Sequence, residues 1–105
     1  MEINLGEKTF QARVTLDSIM RIESKLKKGV IKIATDMQNG DITFQEIVTI
    51  LTPVIRSGGN NIKEDEIGSA IFEAGMTEGI RCVAEVLATV LNAGQDEGNE
   101  MEAEA

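Results

Sequence analysis

The chain has 105 residues, a net charge of −8, three Phe, one Cys, and no Trp, Tyr or His. That length makes one domain with an aliphatic core; without histidine there is neither a His-based general base nor a His-ligated metal site, and an acidic majority argues against nucleic acid as main partner. The lone Cys82 has no intramolecular disulfide partner, the N-terminus lacks the basic and apolar regions of a signal peptide, and no apolar run approaches the ~18 residues of a membrane span, so a cytoplasmic protein with no membrane partner is expected.

In chain order, residues 2–5 and 8–14 read as two short strands around Gly6-Glu7, alternating in polarity over Glu2–Leu5 and Thr9–Val14, which suits a type II′ hairpin over residues 2–14. Thr15 is a good N-cap for a first helix over residues 16–28, with Leu16, Ile19, Met20, Ile22 and Leu26 on one face and Gly29 as its stop. Glu23 falls amid that face; pairing with Lys27 at the i,i+4 spacing accounts for it, and a partner contact is the alternative. Lys25, Lys27, Lys28 and Lys32 read as a solvated basic face. Residues 1–32 hold seven basic and four acidic residues, whereas residues 33–105 hold three and fourteen, so a positive first third is joined to a negative remainder.

Val30, Ile31, Ile33, Ala34 and Met37 predict a second helix over residues 30–39, stopped by Gly40. Thr43 and Glu46 then form a capping box, with Ile42 and Ile47 as a hydrophobic staple, at the start of a third helix over residues 44–57. Ile47, Val48, Ile50, Leu51, Val54 and Ile55 make its apolar face; Thr49, Thr52 and Pro53 fall on the polar side. The stretch Asn39–Glu46 also resembles the second half of a calcium-binding EF-hand loop, with Gly40 at the sixth position and Glu46 at the twelfth. The first half fails, because the first and third positions would be Thr35 and Met37, and sliding by one puts Asp41 where the glycine must be. A calcium-binding module is therefore kept only as an alternative.

Residues 57–61, Ser-Gly-Gly-Asn-Asn, read as a flexible loop, and Gly58-Gly59 lacks the lysine and helix start of a phosphate-binding loop. A fourth helix over residues 63–74 has Ile67, Ala70, Ile71 and Ala74 on its core face, Phe72 pointing away and Gly75 as C-cap. A fifth, over residues 78–93 and capped by Thr77, carries two apolar stripes spanning roughly 240° of its circumference. Either it is a central helix contacted on two sides, or the stripe of Cys82, Val86 and Val90, together with Phe72, serves a partner in a groove between the fourth and fifth helices. The globular domain is expected to span residues 1–94. Residues 95–105 hold five carboxylates and no cation, and disorder is expected there.

The fold class expected is mainly α, a short N-terminal β-hairpin followed by about five helices in a small orthogonal bundle. The hairpin and the ordered set Ile22-Glu23, Gly40-Asp41 with its capped helix, Ile67-Gly68 and Glu73-Ala74-Gly75 resemble the small phage tail assembly chaperones of the gene-transfer-agent type, over residues 1 to about 93. Pro53 and Phe72 depart from the family's expected residues, and the acidic segment lies outside the resemblance. The resemblance implies a protein that is not an enzyme and uses no cofactor. Its implied partners are the tape measure protein, which it would bind, and the tail tube protein, whose assembly it would assist; self-association into a homo-oligomer is also open. The alternative within that resemblance is a minor tail component retained in the virion.

Overall fold

The computed structural model describes the backbone of residues 1–104 and the side chains of residues 1–92. It begins with an antiparallel hairpin of β1 (Glu2–Leu5) and β2 (Lys8–Gln11), with Glu2 opposite Gln11 and Leu5 opposite Lys8. Gly6 opens the two-residue loop at φ +66°, the sign that a type II′ turn demands there. Ile3 and Leu5 point into the core while Glu2 and Asn4 face outward. The second strand stops three residues short of the expected Val14, because the Arg13 N–H turns to donate to the Val54 carbonyl at 2.9 Å.

Helix α1 (Leu16–Leu26) starts with a capping box between Thr15 and Ser18. Its apolar face is not the one that hydrophobicity alone suggests. Leu16 and Met20 are exposed, and Ser18 and Ile22 are buried. Ser18 tolerates burial because its hydroxyl accepts from the Thr15 N–H and donates to the Thr15 carbonyl, both at 2.8 Å. The helix ends before Gly29, with Lys27 in the left-handed region at φ +56°.

Helix α2 (Val30–Gln38) follows from Gly29, which has no side chain to cap it; the Glu23 carboxylate reaches across the turn and accepts the Val30 N–H at 3.0 Å. Glu23 therefore serves the next helix rather than Lys27. Of the apolar residues that predict this helix, Ile33 is buried and Ile31 is exposed. Gly40 at φ +73° turns the chain away, and α3 (Phe44–Ser57) begins at the Thr43–Glu46 capping box.

Every residue of α3 from Ile47 to Ile55 is buried, so burial extends well beyond one apolar face; α3 packs against α1 and two later helices, α4 (Glu64–Ala74) and α5 (Met76–Glu104). Thr49 and Thr52, expected to face water, send their hydroxyls to the carbonyls of Gln45 and Val48 at 2.9 and 2.7 Å. Pro53 has no N–H to leave unsatisfied when buried. The loop after α3, expected to be flexible, is tied down. Asn60 Nδ2 donates to the Gln11 carbonyl at 2.6 Å, and Arg56 Nε donates to the Ile62 carbonyl at 2.9 Å.

Gly75 at φ +101° joins α4 directly to α5, which starts at Met76 instead of after a Thr77 cap. Of the four expected core-face residues of α4, Ile67, Ala70 and Ile71 are buried and Ala74 is half-buried. The α5 backbone continues to Glu104; the expected disorder over residues 95–105 falls outside the residues whose side chains are described.

Candidate partner-binding groove

A depression of about 540 Å³ lies between α3 and α4. Gly68 and Ser69 are the small α4 residues that line it, and a Cβ at Gly68 would come into ordinary van der Waals contact with Val48 Cγ2, at 3.8 Å. Phe44 and Val48 supply an apolar α3 wall, and Phe72 of α4, 79% exposed, stands at the other. Glu64, Asp65 and Glu73 make the rim acidic. Only Glu64 of these carboxylates has an ion-pair partner among the described residues, Lys25 at 3.2 Å.

A second groove of about 370 Å³ runs between α1 and α3, where Thr52 and Pro53 are flanked by Arg21, Lys25, Arg56 and Asp17. Its charge is the reverse of the first. Arg21 holds Asp17 at 2.7 Å, an exposed pair whose hydrogen bond raises the guanidinium pKa further.

The structure separates the four residues expected to bind a partner. Phe72 is exposed and lines the α3/α4 groove, Val90 is half-buried, and Cys82 and Val86 are core. Residues of both α5 stripes are buried, Val83 and Leu87 of one and Cys82 and Val86 of the other, because α5 packs on α3 and α4 and also on α2 and β1; Leu91 farther along is exposed. Cys82 Sγ lies 3.4 Å from the Asn4 carbonyl, and burial pushes its thiol pKa up. The expected groove between the fourth and fifth helices is thus filled by this chain's own hairpin and helices. Periodicity missed Phe44, Gly68, Asp65 and Glu73; the small Gly68-Ser69 pair beside an exposed aromatic was the available signal.

The loop resembling half an EF-hand is organised around ammonium groups. Lys28 Nζ bridges Asp36 Oδ2 at 2.8 Å and Glu46 Oε2 at 2.9 Å, and Lys32 Nζ takes Asp36 Oδ1 at 2.8 Å. Glu46 Oε1 accepts the Thr43 N–H at 3.0 Å. All four carboxylate oxygens that the loop offers in these two residues are therefore engaged. The hydrogen bonds from Lys28 hold the Asp36 and Glu46 carboxyls below their ordinary pKa, and the same contacts, that to Asp36 first, raise the pKa of Lys28. The basic face expected of Lys25, Lys27, Lys28 and Lys32 is dispersed, with Lys25, Lys28 and Lys32 each on a carboxylate.

Compared with known proteins, residues 1–93 match the model of a family described as phage tail tube protein, GTA-gp10. No curated protein and no solved structure matches the chain.

Proposed function

The chain belongs to the family described as phage tail tube protein, GTA-gp10, and from that premise we propose that it is a tail assembly chaperone that covers helices of the tape measure protein while tail tube subunits are recruited around it. The observation that carries the reading is the α3/α4 groove, with Phe44, Val48 and the exposed Phe72 on its walls. A groove of that kind receives the apolar face of an amphipathic helix. The net charge of −8 would keep such a complex dispersed. The role is non-enzymatic and belongs to the cytoplasm of the host cell.

Coexpression with the tape measure protein tests it. The chain should carry that protein into the clarified supernatant, and Phe72→Asp should leave it in the pellet. A tape measure protein equally insoluble with and without the chain sinks the proposal. The second reading, a minor component that stays in the particle, is favoured by the family's description as a tail tube protein. Purified particles separate the two: a chaperone is absent from them, a component is present in fixed stoichiometry.

A further inference from the structure

The two grooves open on the same side of α3. Phe44, Gln45 and Val48 of α3 line one and Thr52, Pro53, Arg56 and Ser57 line the other; at 3.6 residues per turn the seven positions spread over about 220°, and the two sets adjoin along Val48, Thr52, Gln45 and Arg56, which fall within about 80° of one another. That side of the molecule is therefore a single face with α3 along its middle, a cationic half on α1 and an anionic half on α4. The Lys25–Glu64 pair spans the two halves. Each half also carries an exposed apolar side chain, Met20 on α1 at 60% and Phe72 on α4 at 79%.

We infer that this face binds a second copy of the chain about a two-fold axis running along α3, so that α1 of each protomer lies on α4 of the other. A rotation about that axis exchanges the halves, placing Arg21 and Lys25 of one copy against the acidic start of α4, Glu64 and Asp65, in its partner. An axis across α3 would set α1 on α1 and α4 on α4, like charge on like. Every contact in such an isologous interface occurs twice, so a modest complementarity counts double. The intrachain pairs do not compete strongly, since Arg21–Asp17 and Lys25–Glu64 are exposed, and exposed pairs contribute little. The chain's own segment 95–105 is a poor rival for the anionic half, having no cation to set against Asp65 and Glu73.

The inference stands apart from the proposed function, because it needs no client. If both hold, a client helix and the second copy compete for Phe72, and the dimer is the form in which the apolar wall is covered before the client arrives.

Sedimentation velocity of the purified chain at low ionic strength should show a dimer that dissociates in about 1 M salt, where the Debye length is about 3 Å. Lys25→Glu and Asp65→Lys should each be monomeric, with unchanged far-ultraviolet circular dichroism. Mixing the two variants should restore a dimer, because each 25–65 contact is then again between opposite charges. A wild-type monomer, an open-ended polymer, single variants that remain dimeric, or a mixture that stays monomeric would each overturn the inference. Failure of the tape measure assay with this dimer intact would leave the inference standing and remove only the proposed function.

Discussion

Lys27 sits at φ +56°, where an L side chain crowds its own backbone, and it does so to end α1 in time for α2 to begin at Val30. Lys27→Gly should therefore raise the stability by up to about 1 kcal/mol, read as a higher urea midpoint. Gly58 has an ordinary φ of −80°, and what it cannot tolerate is bulk. A Cβ there would overlap the Gln11 carbonyl and lie 2.7 Å from the Ala12 Cα, both backbone, which can yield only by shifting the hairpin. Gly58→Ala should cost about 1–3 kcal/mol, as overpacking does, measured in the same titration. Neither position was legible in the sequence. A lysine carries no signal for left-handed backbone, and the contact that constrains Gly58 comes from the N-terminal hairpin, distant in sequence.

Among the elements, those set by local chemistry were legible and those set by tertiary cover were not. The Thr43–Glu46 box, Gly40 and Gly75 all stand where the residues place them, and Thr43→Ala should cost about 1 kcal/mol in a thermal or urea melt. The face of α1 was misread, since burial of Ser18 depends on a hydroxyl satisfied within its own capping box. The same capped turn of α3 makes stability depend on pH. Asp36 and Glu46 have pKa values lowered by Lys28, so the folded form binds their protons less readily than the unfolded chain. Their stabilisation is complete above the ordinary carboxylate range and is lost as the pH falls through the lowered values. Lys28 has a raised pKa, so its contribution is present below the ordinary lysine value and is lost as the pH rises through the raised one. The melting temperature should thus fall at both extremes, and Lys28→Met should make the acid-side decline shallower. An acid limb of unchanged slope in that variant would show that the cluster does not stabilise the fold.

At the scale of the whole molecule, the hairpin-plus-five-helix architecture followed from periodicity and caps, but the site did not. Periodicity tells which residues share a helix face; it says nothing of what lies over that face. Cys82 and Val86 looked spare because their cover comes from far along the chain: the Asn4 carbonyl of β1 lies beside Cys82, and α5 also packs on α2. Phe72 pointed away from the core on the same kind of reasoning, and in this case the structure leaves it exposed. The two residues should consequently respond in opposite ways to one and the same change. Val86→Asp puts a carboxylate at a fully buried position in the apolar core, a cost of several kcal/mol against a total stability of about 5–15 kcal/mol, so the helical signal should be lost or the chain recovered only as aggregate. Phe72→Asp adds charge to an already acidic rim in water, which leaves the melting temperature within a few degrees of wild type. Under the proposed function it nevertheless abolishes solubilisation of the tape measure protein. A stable Val86→Asp variant would mean that α5 is not held as described. A folded Phe72→Asp variant that still solubilises its client would move the binding surface away from the α3/α4 groove, with the exposed Leu16 and Met20 of α1 the next residues to test.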